Sequence, residues 1–135
     1  MTVDYVWEHN GNDTLIYAVD FVGAFSRGES LGQHKIQGLS DDIIPKLYNE
    51  NIVDELIQVT DEDALAMADK LTKSFGFAVG ISSGANFIGC VLSGVNNAVS
   101  VFSDDNKKYI STELSTCFST KLVNSINLVG FEVVR

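Results

Sequence analysis

The sequence predicts an α/β fold, a three-layer sandwich built around a mainly parallel sheet. Apolar runs of strand length alternate along the chain with segments of helical period. The first of these runs is apolar or β-branched almost throughout, as expected of a strand that is covered on both faces. Connections between parallel strands cross over with a single hand, so a layered arrangement of helices and sheet is expected.

The N-terminal third of the chain contains one predicted helix, one strand and one long loop. Residues 3–9 carry apolar side chains at helical spacing and end at a turn-forming cluster, NGND. Residues 14–21, TLIYAVDF, are predicted to be the first strand. The stretch from 22 to 42 is rich in glycine, serine and polar residues, which is typical of a functional loop.

A second strand followed by a capped helix is predicted in the middle of the chain. Residues 55–59, ELIQV, have the length and composition of a strand. Thr60 with Asp63 three positions later approximates a capping box, which predicts that a helix begins here. This helix is expected to end near Gly76, because glycine commonly follows the last helical residue.

The second half of the chain continues the alternation. Residues 80–84, GISSG, are predicted to form a tight turn before a helix without charges at 85–92, which we expect to be buried. A third strand is predicted at 98–102, followed by a polar loop at 103–108. The sequence FEVV, 131–134, is predicted to be the last strand.

Length and composition are those of a single domain over residues 1–135. The chain is 45% hydrophobic and 20% charged, with a formal net charge of −9. Such a surplus of carboxylates disfavours a nucleic-acid partner. No apolar run reaches membrane-spanning length and no signal segment is evident, so a cytoplasmic protein without a membrane partner is expected. Cys90 and Cys117 lack metal-ligand spacing, and Cys90 is interpreted as a small packed thiol.

Two hydroxyls between glycines, at residues 80–84, mark a candidate ligand site. Glycine lets a backbone approach a ligand closely, and a helix that begins nearby offers its N–H groups. Ser82 and Ser83 at this position have two interpretations of similar weight: they cap the following helix, or they point at a ligand atom.

Four sequence blocks in order resemble the C-terminal half of the cysteine synthase family. They are GQHKIQG at 32–38 with Ile44-Pro45, VDELIQVTDEDA at 53–64, GISSGA at 80–85 and YIST at 109–112. The similarity extends from about Asp4 to the end of the chain. The joint match of blocks and spacing is specific, whereas GISSG alone is a weak signal.

This resemblance implies a partial fold-type II pyridoxal-phosphate domain, in which the cofactor lies between two domains. Gly80 and Ser82 would contact the cofactor, with the Ser82 hydroxyl bonded to the pyridine nitrogen. Ser103 would face the edge of the ring, and Gly38 would line the substrate wall. Because a serine hydroxyl is too weak an acid to protonate the ring nitrogen, the resemblance implies a moderate electron sink. Such a sink suits β-elimination and β-replacement on an amino acid.

The chain also departs from the family. Residues 39–42, LSDD, stand where a glycine-rich continuation is usual, which bears on the choice of substrate. Residues 103–109 replace a turn with proline and glycine, and their DDNKK segment is interpreted as a solvated turn. His34 is interpreted as a hydrogen-bonded loop histidine rather than a catalytic residue.

The family's Schiff-base lysine, its substrate loop and its phosphate loop have no counterpart in the sequence. No catalytic residue is therefore assigned, and we expect the chain alone to be inactive and to leave pyridoxal phosphate unbound. A missing N-terminal half or a complementary subunit is the expected partner, and self-association is also expected. The alternative is a non-catalytic interaction or self-associating module derived from the same fold, since loss of a covering domain exposes apolar surface.

Overall fold

The computed structural model of the chain describes residues 14–22, 50–109 and 119–130. The helix predicted at 3–9, most of the loop at 22–42 with Gly38, and the strand predicted at 131–134 lie outside these ranges. No helix in the described ranges combines the length and apolar character needed to cross a bilayer.

A two-stranded parallel sheet is formed by β1, Tyr17–Phe21, and β2, Glu55–Val59. Ile57 and Val59 of β2 are buried, and each pairs with a residue of β1 in register. Parallel pairing requires a crossover connection, because a tight hairpin can join only antiparallel strands. The predicted α/β class with a parallel sheet is confirmed.

Helix α1, Asp61–Phe75, begins and ends where the sequence predicts. The Thr60 hydroxyl accepts a hydrogen bond from the backbone N–H of Asp63 at 3.1 Å and donates to its carboxylate at 2.7 Å. At the other end Gly76 adopts φ 74°, a left-handed conformation that glycine adopts without strain. One face of α1 supplies much of the hydrophobic core.

Helix α2, Ile81–Leu92, begins four residues earlier than predicted. The GISSG segment is not a tight turn: Gly80 is the N-cap and residues 81–84 form the first helical turn. Serine and glycine are weak helix formers, but burial of Ile81 and close packing of Gly84 on α1 stabilise the turn. Only one side of α2 is buried, since Val91 and Leu92 are exposed.

The third strand predicted at 98–102 is not a strand. Val99 is 98% exposed, and Val101 and Phe102 are exposed as well. A β-branched sequence becomes a strand only when a neighbouring strand is present, and the described residues offer this segment none. The nearest extended contact is an isolated antiparallel bridge between Val79 and Asp105.

A short helix that the sequence analysis missed, α3, Lys121–Ser125, packs on α1. The Thr120 hydroxyl accepts a hydrogen bond from the Val123 N–H and donates to the Asp63 carboxylate. At the other end, the Lys70 ammonium donates to the carbonyls of Val123, at 2.7 Å, and Ile126. A cation at the C-terminus of a helix is favourable because the helix dipole is negative there.

Replacing Lys70 with methionine is expected to destabilise the fold by about 1.5 kcal/mol or more, since two charge-assisted hydrogen bonds are lost. Lys73→Met is the matched control, because the exposed Lys73 pairs with Asp69 on the same helix. Its loss should change stability by less than about 0.5 kcal/mol. Urea denaturation of both variants measures the difference, and equal stabilities would contradict this account of α3.

Candidate functional site

Two segments far apart in the sequence meet at the start of α2. The Gly80 N–H donates to the Asp104 carbonyl at 3.1 Å, and the Asn106 N–H donates to the Ala78 carbonyl at 2.9 Å. These backbone hydrogen bonds flank the Val79–Asp105 bridge. Residues 103–104 are thereby held beside the first turn of α2.

The Ser82 hydroxyl lies at the centre of this junction. Its oxygen is 3.3 Å from the Ser103 hydroxyl oxygen, and it donates to the Asp104 carboxylate at 3.2 Å. Ser82 is half-buried and Ser103 is exposed. The structure thus brings together Gly80, Ser82 and Ser103, which the sequence analysis had assigned to one site.

The two serines of the GISSG segment have different environments. Ser83 is fully buried, and its hydroxyl has no hydrogen-bond partner among the described residues. Neither serine caps α2, because the N-cap is Gly80 and no side chain bonds the free N–H groups there. Of the two interpretations of these hydroxyls, capping is therefore wrong, and Ser82 is the one that lies at the surface.

Gly80 has a steric role at this junction. A Cβ atom on Gly80 would overlap the carboxylate of Asp104. Only glycine lets this carboxylate lie so close to the start of the helix. The first turn of α2 carries no acidic residue of its own, so Asp104 supplies negative charge at the positive end of the helix dipole.

Asp104 is the residue of this site that the sequence analysis missed. Its segment was interpreted as a solvated turn, which holds for Asp105: that carboxylate is half exposed and lies 3.4 Å from the Lys107 ammonium. For Asp104 the interpretation is wrong, since its side chain is partly buried and accepts a hydrogen bond from the Ser82 hydroxyl. One sequence signal could have identified Asp104: two acidic residues, 104 and 105, stand where the family has a turn with proline and glycine.

The junction presents polar groups at the protein surface. A pair of hydroxyls at the surface, next to a glycine and a helix N-terminus, offers polar contacts without a bulky side chain. The carbonyl of Val101 accepts from the Asn86 amide at 3.0 Å, which ties the segment before Ser103 to α2. The described residues thus provide one polar wall, and Gly38 lies outside them.

No protein-family model matches the chain, but its sequence is similar to several proteins named cysteine synthase. The chain is 40% identical to cysteine synthase B of Campylobacter jejuni over 93 residues, which cover 66% of this chain and 30% of that protein. It is 33% identical to a probable cysteine synthase of Bacillus subtilis, with 76% of this chain and 35% of the relative covered. The chain therefore spans about a third of the length of these relatives.

A solved structure extends the similarity to the fold. A variant of a hydrogen sulfide-producing enzyme from Fusobacterium nucleatum, in complex with an α-aminoacrylate intermediate, superposes with a TM-score of 0.80 at 37% identity. The match covers 94% of this chain and 40% of that one. The similarity thus includes nearly all of this chain and less than half of the enzyme.

Proposed function

We propose, from the premise that the chain is a partial-length relative of the cysteine synthase family, that it supplies one wall of a pyridoxal-phosphate site. The observation that carries the proposal is the meeting of Ser82, Ser103 and Gly80 at the start of α2. These residues come from segments 21 positions apart in the sequence.

The residues of the chain would orient the cofactor rather than react with it. Pyridoxal phosphate, when bound, supplies an electron sink for bond breaking next to an amino-acid α-carbon. Ser82 would contact the ring nitrogen, Ser103 would lie at the ring edge, and Gly80 would leave room for both. Gly38 is proposed to line the substrate side.

The reaction class that this wall would serve is β-elimination or β-replacement on an amino acid. Relatives named cysteine synthase support the replacement reaction. A second candidate is release of sulfide from a thiol-bearing amino acid, which is favoured by the 37% identity to the hydrogen sulfide-producing enzyme. Both reactions would use the same cofactor edge, so activity assays must include both.

The lysine that would hold the cofactor covalently would come from a segment outside the present chain. Relatives are about three times as long as the matched region, which supports a complementary segment or subunit as partner. In the competing proposal, a non-catalytic module, the exposed apolar side chains near Val99 would bind another copy of the chain.

The test compares the chain alone with the chain joined to a lysine-bearing segment that covers the unmatched part of a cysteine synthase. Pyridoxal phosphate is added to both, and its visible absorption, cysteine formation from sulfide and sulfide release from cysteine are measured. We expect neither absorption change nor turnover from the chain alone, and both from the joined protein. Turnover by the chain alone would overturn the assignment of the lysine to another segment. A joined protein that is folded but binds no cofactor would favour the non-catalytic module.

A further inference from the structure

The segment that leads into Ser103, residues 98–102, has few contacts that fix its position. Val99 and Val101 are exposed, and among the described residues no backbone–backbone hydrogen bond joins residues 98–102 to another segment. The Ser100 hydroxyl is buried and has no hydrogen-bond partner in the described part of the chain either. Neither strand pairing nor deep burial of apolar side chains therefore holds this segment in place.

Asn86 of α2 supplies a contact that does hold the segment. Its side-chain amide donates to the Val101 carbonyl at 3.0 Å, which is a usual length for such a bond. Ser82, four residues earlier, lies on the same face of α2 and contacts Ser103. Four residues of helix rise about 6 Å, and two residues of extended chain span about 6.6 Å. The segment therefore runs antiparallel to α2 and in step with it over these two contacts.

Ser103 is thus held between two supports. On its C-terminal side, the Asp104 carbonyl accepts a backbone hydrogen bond of 3.1 Å from the start of α2. On its N-terminal side, the Val101 carbonyl accepts from Asn86. The direct contact of Ser103 with Ser82, 3.3 Å, is longer than is usual between hydroxyl oxygens and restrains it weakly. Without the Asn86 amide the chain could turn about Asp104, and the Ser103 hydroxyl would lose its fixed position.

We propose that Asn86 is a positioning residue, which through the Val101 carbonyl holds the Ser103 hydroxyl at the edge of the cofactor ring. The inference rests on the proposed function, in which Ser103 lies at that edge. Asn86 itself would not touch the cofactor, and its effect on binding would pass through Ser103. The role requires a donor that reaches a backbone carbonyl, which the uncharged amide of asparagine provides.

The test measures how tightly the joined protein binds pyridoxal phosphate, by titration of the visible circular dichroism. Free pyridoxal phosphate is achiral, so this signal comes from the bound form alone. Asn86→Asp keeps the shape of the side chain and removes the N–H donor, and Asn86→Ala does so without adding charge. Asn124→Asp is the matched control, because it makes the same change on α3, where the Asn124 amide donates to the exposed Ser119 hydroxyl at 2.8 Å. All variants are repeated in the Ser103→Ala background.

We expect the dissociation constant of the cofactor to rise about threefold to tenfold in both Asn86 variants, comparable with the loss of one hydrogen bond. Asn124→Asp should leave it within about twofold of the parent. In the Ser103→Ala background the Asn86 variants should have no further effect, because the hydroxyl that Asn86 positions is gone. Weakening that persists in this background would assign Asn86 a purely structural role and overturn the inference.

Unchanged affinity in the Asn86 variants would also overturn the inference, while leaving the proposed function intact. An equal loss in Asn124→Asp would do the same, since the added charge alone would then explain the effect. Failure of the joined parent protein to bind the cofactor would reject the proposed function and the inference with it.

Discussion

Replacing Ser82 with alanine in the joined, cofactor-loaded protein is expected to lower turnover by about tenfold to a hundredfold, comparable with the loss of one preorganised polar contact. The hydroxyl removed is the one that lies at the junction with Ser103 and Asp104. Without it the ring nitrogen would lose the partner proposed for it, and the ring would be held less firmly. Steady-state rates for cysteine formation and sulfide release measure the effect.

The neighbouring Ser83 provides the matched control. Its hydroxyl is fully buried without a hydrogen-bond partner among the described residues, so Ser83→Ala should leave turnover unchanged. The same variant should gain about 1 kcal/mol of stability, because an unpaired polar group is no longer buried. If Ser83→Ala lost as much turnover as Ser82→Ala, the assignment of the surface hydroxyl would be wrong.

Replacing Gly84 with alanine is expected to destabilise the fold by about 2 kcal/mol or more. A Cβ atom there would overlap the backbone carbonyl of Ala64 and approach the N–H of Ala68 to 2.9 Å. Backbone atoms within a helix cannot move aside as a side chain can, so α1 and α2 would have to separate. This cost outweighs the gain in helix propensity from glycine to alanine.

Gly89 of the same helix offers the comparison. A Cβ atom on Gly89 would overlap a methyl group of the Val19 side chain rather than backbone. Gly89→Ala should therefore cost less than Gly84→Ala, although both substitutions add one methyl group at a buried position. Urea denaturation of both variants gives the two free energies of unfolding. Equal losses would argue against close backbone packing of α1 on α2.

Elements with local signals were predictable from the sequence. The hydroxyl of Thr60 and the acid of Asp63 are three residues apart, and their hydrogen bonds form within one turn. Gly76 ends α1 because glycine adopts the left-handed backbone conformation without strain. Strand β2 was predicted from five consecutive residues. For the two ends of α1 the stabilising interactions lie between neighbours in sequence; for β2 the composition indicates the strand, although the strand itself pairs with the distant β1.

Elements that depend on distant partners were mispredicted or missed. GISSG carries turn-forming residues, and it is helical because Gly84 packs against α1. Residues 98–102 have strand composition but lack a neighbouring strand among the described residues. Helix α3 is short, and Thr120 was its one local signal; Lys70, which binds its end, is more than 50 residues away.

In the candidate site, too, some residues were identified from the sequence and one that depends on a distant contact was missed. The resemblance assigned Gly80, Ser82 and Ser103 to one site; the Ser82 and Ser103 hydroxyls lie 3.3 Å apart, and their contact with a cofactor stays a prediction. The role of Asp104 could not be predicted from the sequence, because its contact with Ser82 spans 22 residues and depends on a bridge that no local pattern predicts. Its neighbour Asp105, identical in type, remains in solvent beside Lys107.

The most direct test of the account is a crystal structure of the joined protein with pyridoxal phosphate bound. We predict that the ring nitrogen lies within about 2.7–3.2 Å of Ser82 Oγ, at hydrogen-bonding distance. The Ser103 hydroxyl should lie at the edge of the same ring. A cofactor bound elsewhere, with Ser82 and Ser103 bonded only to each other and to Asp104, would contradict the assignment of this junction as the cofactor wall.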